Sequence, residues 1–143
     1  MKRSEIVAVA RSYIDVPWIH QGRSKEFGVD CIGVLICAAR ELGIQCEDFT
    51  EYRYGTKNWP LLYKMLRETG LTLVQRADMD LGQVIFFEGY NGNVHAGFVA
   101  DGGAPFSAIH GYEVVQPPRV VENVLDPRWM KIRSLWELPG VSD

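Results

Sequence analysis

The long helical patterns of this chain lie before Gly70 and its strand patterns lie after it, a division that constrains the fold more than any other feature. Ser4 is placed to cap a helix from Glu5 to about Tyr13, with Ile6, Val9, Ala10 and Tyr13 on one stripe. Pro17 stops it, because the residue before a proline avoids the helical region. Residues 18–29 hold Gly22 and Gly28 and read as an ordered loop. Asp30 then caps a second helix running to Leu42, with Gly43 as its stop. Ile32, Leu35, Ile36, Ala39 and Leu42 give that helix a wide apolar face, so it is expected to be central and buried. Residues 45–58 are polar, aromatic and irregular, and Pro60 opens a third helix that ends at Gly70. Strands are expected at 71–75, 83–87, 94–100, 106–110, 112–116 and 120–124, with a final one at 131–138. Helices first and strands later predict an α+β fold with a largely antiparallel sheet. With 143 residues the chain has room for one domain, 1–143, and not for two.

Composition removes several function classes. The net charge is −3, and no basic cluster is longer than Lys2-Arg3. Nucleic acid is therefore not an expected partner, since phosphate binding needs concentrated positive charge. Three cysteines, Cys31, Cys37 and Cys46, are too few and too odd in number for a disulfide framework. No Cys-x-x-Cys or His-x-x-x-His spacing suggests zinc, and neither a metal nor another cofactor is expected. The apolar run from Ile6 to Ala10 is broken by Arg11, so it reads as part of a helix rather than a signal peptide. The expectation is a chain that is cytoplasmic at synthesis. No stretch approaches the ~20 apolar residues of a membrane span, and no membrane partner is expected.

The chemistry centres on Cys31, in Val29-Asp30-Cys31-Ile32-Gly33, where a glycine-containing loop gives way to a helix. Exposed N–H groups and the macrodipole at a helix start favour a thiolate, the nucleophilic form of cysteine. That setting predicts a thiol pKa lowered into the roughly 3.5–7.5 range of activated cysteines. Alone, such a cysteine is also a common small core residue, and Cys37 and Cys46 keep that reading. Two histidines change the balance. The segment Asp101-Gly102-Gly103-Ala104 carries a two-residue hairpin signal. If Asp101 pairs with Ala104, His95 faces His110 directly, with Cβ atoms about 5 Å apart. A thiol, an imidazole base and a second group that orients the base are the components of a cysteine hydrolase. Cys31, His95 and His110 are the candidates for those roles, with the Cys31 backbone N–H in an oxyanion hole.

These residues resemble the NlpC-like family of cell-wall cysteine peptidases, a papain-like branch, and more narrowly its phage and prophage tail-associated members. The entry motif, a proline-aromatic pair, a glycine-containing loop and Asp-Cys-x-Gly, is matched by Pro17-Trp18-Ile19-His20-Gln21-Gly22 and Asp30-Cys31-Ile32-Gly33. A Gly-Asp strand is matched loosely by Gly82-Gln83-Val84, the His-x-Gly strand by His95-Ala96-Gly97, and a second histidine by His110. The match spans residues 4 to 125, in order. Trp18 departs from the usual tyrosine and Ile32 from the usual serine after the cysteine, and the hairpin between the histidines is longer than typical. The resemblance implies a papain-like fold in which a central helix, started by the catalytic cysteine, packs on a C-terminal sheet. It implies hydrolysis of peptidoglycan stem peptides, with phage tail proteins as further partners. Trp18 and His20, with Arg23, are then expected to wall the substrate groove, and Asp30 to meet a substrate amine where capping leaves an oxygen. Two other readings use the same residues: a structural tail-assembly protein with a vestigial site, and an amidase or acyltransferase on the same scaffold.

Overall fold

The computed structural model describes residues 1–48, 59–88, 94–102, 109–115, 118–125 and 131–143. Three helices come first: α1 (Arg3–Arg11), α2 (Cys31–Glu41) and α3 (Trp59–Glu68). A short hairpin, β1 (Arg23–Ser24) and β2 (Gly28–Val29), sits between α1 and α2. Its strands are too short to leave an alternating pattern, which is why this stretch reads as loop in the sequence. α1 begins before Ser4, because the Glu5 carboxylate reaches back to take the Lys2 N–H at 2.7 Å and caps the helix itself. α2 begins and ends where its cap and its glycine put it: Asp30 is its N-cap, and Gly43 follows in the left-handed region at φ 77°.

The strands β3 (Thr72–Val74), β4 (Val84–Glu88), β5 (Val94–Gly102), β6 (Ile109–Val115), β7 (Arg119–Leu125) and β8 (Lys131–Glu137) form one sheet, ordered β3-β8-β4-β5-β6-β7. All its pairings are antiparallel. The expected break between strands at 106–110 and 112–116 is absent, since Ile109–Val115 is one strand, β6. Alternation along the strands gives the sheet two faces. Val84, Phe86, Ala96, Phe98, Ala100 and Trp136 lie on one, packed with Ile6 and Ala10 of α1, Ile32, Leu35 and Ile36 of α2 and Leu66 of α3. Ile85, Phe87, Val99 and Leu135 form a smaller cluster on the other. Each fully buried side chain such as Ile6 or Phe86 contributes about 1.5–3 kcal/mol through the water it no longer meets. Arg3 fastens α1 to the sheet, donating to Glu137 at 2.9 and 2.8 Å and to the Leu81 carbonyl at 2.9 Å.

Two features aim the N-terminal end of α2. The segment after α1 pairs with β7, with Asp15 N to Val120 O, Val120 N to Val16 O and Trp18 N to Pro118 O all at 2.9 Å. Trp18 bridges in turn to Val29, two residues before Cys31. The second feature is a backbone-to-backbone contact at Gly33. A Cβ there would run into the Gly22 carbonyl oxygen and come within 3.1 Å of Val29. Gly33→Ala is therefore expected to destabilise the fold by about 1–3 kcal/mol, the usual range for overpacking. The check is a lower urea midpoint at unchanged slope; an unshifted midpoint would mean that the helix start can move off the loop.

Candidate active site

Asp30 organises the start of α2. It is 3% exposed and uses both carboxylate oxygens. Oδ1 accepts from Gly33 N at 2.7 Å and from Arg23 Nη1 at 3.0 Å, while Oδ2 accepts from Gln21 N at 2.8 Å. Arg23 also sends Nε to both oxygens of Asp48, each at 2.9 Å. A buried carboxylate needs such partners, since an unpaired one would shed its charge. The amine-binding role expected of Asp30 loses its basis, because its oxygens are already committed within the protein. Arg23, expected on the groove wall as a donor, is instead drawn into this network with its side chain 14% exposed.

Cys31 is half-buried at the first position of α2. The backbone N–H groups of Ala96, Ile32 and Cys31 itself favour the thiolate form of its sulfur. A strand N–H lies in the plane of its sheet, so the thiol meets β5 at its edge beside Ala96. Among the described residues, β6 pairs with β5 only from Val99 onward. The expectation of a lowered thiol pKa is overturned. Burial, and then the Asp30 charge, push it from 9.0 up to about 12, and the three N–H groups only pull part of it back. A helix terminus is worth about 0.3–1 kcal/mol, less than one pKa unit. That cannot offset the loss of water around a thiolate. Burial raises the Cys37 and Cys46 thiols as well. At neutral pH the Cys31 side chain is therefore a thiol.

His95 is the residue next to Ala96. It is half-buried, lies directly across from Phe87 on β4, and stacks on that ring at 5.3 Å with planes 19° apart. Burial lowers its pKa from 6.5, so the neutral imidazole dominates. The structure thus brings Cys31 and the His95 segment together. It does not bring His110 opposite His95. In register His110 pairs with Asp101 and Ile109 with Gly102, with an irregularity between Val99 and Asp101. Asp101 lies six residues along β5 from His95, roughly 20 Å at the usual strand rise. Gly102 is not the first residue of a two-residue turn, because β5 runs on through it and pairs it with Ile109. Residues 103–108, with the expected turn residues Gly103 and Ala104, lie outside the described residues.

Trp18 is half-buried and His20 exposed, with ring centroids 6.3 Å apart and planes 32° apart. The bridge from Trp18 to Val29 keeps this aromatic pair beside the start of α2. Two contributors were not assigned from sequence: Phe87 as the platform for His95, and Ala96 as an N–H donor to sulfur. Both depend on strand register, which no local pattern encodes. Among the described residues, no group of three or more His, Cys, Asp or Glu side chains is arranged to hold a metal ion, and no helix is long and apolar enough to cross a membrane.

No protein-family model matches the chain, and no curated protein matches it by sequence. In three dimensions it is similar to the crystal structure of the NlpC/p60 domain of peptidoglycan hydrolase SagA. The TM-score is 0.62 at 19% sequence identity, over 96% of this chain and 100% of that one. The chain therefore has the papain-like α+β fold of an NlpC/p60 domain, with its helices packed on an antiparallel sheet.

Proposed function

We propose that this chain is a cysteine peptidase of the bacterial cell wall, hydrolysing peptide bonds in peptidoglycan stem peptides. The observation that carries the reading is the place of Cys31 at the first position of α2, where the Ala96 N–H one residue from His95 favours its thiolate, in a fold similar to a peptidoglycan hydrolase domain. Cys31 attacks the scissile carbonyl carbon as its proton passes to His95. Backbone N–H groups at the start of α2 meet the oxyanion of the tetrahedral intermediate. His95 then returns the proton to the leaving amine, and water hydrolyses the thioester with His95 again as base. Trp18 and His20 wall the approach on the loop side of Cys31.

His110, the expected third member of a Cys-His-His triad, pairs with Asp101 rather than near His95, so no orienting role is proposed for it. His110→Ala is expected to cost less than the loss of about 10²–10⁴-fold that removal of a general base brings. Equal losses for His110→Ala and His95→Ala, measured as kcat/KM on one substrate, would contradict that ranking. The function itself is tested by incubating purified sacculi with the protein, beside Cys31→Ala, and analysing the released fragments by mass spectrometry. Release by the wild-type chain alone is the expected result. Acyl transfer to added amines without hydrolysis would favour the transferase reading instead. The tail-associated setting belongs to the same proposal and is tested by searching purified virions for the chain.

A further inference from the structure

We propose that Arg23 is the positioning residue of the Cys31 nucleophile: its guanidinium, forked between Asp30 and Asp48, holds the buried Asp30 carboxylate and the start of α2 in one working geometry. The inference rests on the reading of Cys31 as nucleophile but not on any substrate. Three observations converge on it. Arg23 Nη1 reaches Asp30 Oδ1 at 3.0 Å, on the same oxygen that caps Gly33 N at 2.7 Å. The same Nη1 also donates to the Gly22 carbonyl at 2.9 Å, and that carbonyl is the one packed against Gly33. One side chain therefore ties the cap, the loop and the first turn of the catalytic helix. Its Nε is held at 2.9 Å by each oxygen of Asp48, so the network joins the segments before and after α2.

The arrangement has an electrostatic consequence for the thiol. The charged and titratable groups here are Asp30 at the start of α2, Arg23 on β1, Asp48 after α2, His95 on β5 and, within α2, the Cys37 thiol, which Arg23 and Asp48 affect directly. The Asp30 charge opposes ionisation of Cys31. Arg23 neutralises part of that charge, and Asp48 draws part of Arg23 away. Loss of Arg23 and loss of the Asp48 charge should then move the thiol in opposite directions. A purely structural role for the network gives no such reversal, because both changes would only loosen it.

The test reads Cys31 itself. Iodoacetamide alkylation of the folded full chain is followed at several pH values, with peptide mapping to assign the label to Cys31. Below the thiol pKa the rate follows the thiolate fraction, so a shift of one unit is a tenfold change at fixed pH. Arg23→Gln is expected to slow alkylation by about tenfold, and Asp48→Asn to speed it. Arg23→Lys keeps the charge without the fork and is expected between wild type and Arg23→Gln. Circular dichroism confirms that each variant is folded. If Arg23→Gln does not fold, Asp48→Asn and Arg23→Lys still decide the question. Slower alkylation in Asp48→Asn, or wild-type rates in a folded Arg23→Gln or Arg23→Lys, would overturn the proposal. Cleavage of cell wall is not read here, so a wrong substrate assignment leaves this outcome untouched.

Discussion

Replacing His95 with alanine is expected to lower turnover of a stem-peptide substrate by about 10²–10⁴-fold, the contribution of a positioned general base. The Cys31 thiol, held up to about 12, gives the base a real task, since little thiolate exists beforehand. Folding should survive the change. His95 is half-buried, and its stacking on Phe87 is worth about 0.5–1.5 kcal/mol. The pH dependence carries a second expectation. A base acts only when neutral, and burial lowers the His95 pKa from 6.5. The acid limb of kcat/KM therefore lies below about 6.5, with activity lost only as pH falls through it. A preformed thiolate–imidazolium pair would behave differently, losing activity as pH rises and the imidazolium gives up its proton. A pH–rate profile separates the two. Near wild-type turnover in His95→Ala would remove His95 from the proton path.

Asp30→Ala is expected to be the most destabilising single change at the site, by about 3–5 kcal/mol, the usual cost of leaving one partner of a buried ion pair alone. It removes the cap on Gly33 N, the acceptor for Gln21 N and one of the two carboxylates that face Arg23. Domains of this size are stable by only about 5–15 kcal/mol, so the variant should melt far below wild type. Asp30→Asn keeps a capping oxygen and should fall in between. Equal stability of wild type and Asp30→Ala in urea titration would mean that the cluster does not hold the helix.

How far the sequence could be read depended on how local each determinant was. The second helix was legible because its cap, Asp30, and its stop, Gly43, are neighbours of the turns they control. The α+β division held for the same reason, since period and glycine placement change together at Gly70. β8 pairs between β3 and β4, with a register shift at Phe86/Phe87, and nothing near residue 131 announces that partner. The hairpin failed on one local cue. Two glycines favour a turn, yet an antiparallel partner can carry a strand straight through one of them, as β5 continues through Gly102. At the candidate site, Cys31 and His95 stand on short motifs that a sequence displays locally. The charge on the thiol was misjudged because helix position is visible in sequence while burial and the fate of the Asp30 carboxylate are not.

The central claim is that Cys31 attacks a cell-wall peptide bond and carries the acyl group. The direct measurement is an acid quench of the protein during turnover of a purified muropeptide, followed by mass spectrometry of its proteolytic fragments. The account predicts an acyl adduct on the fragment containing Cys31 that is lost on hydroxylamine treatment, as a thioester must be, and no adduct on Cys37 or Cys46. Muropeptide cleavage that persists in Cys31→Ala, with no adduct on the wild-type fragment, would contradict it.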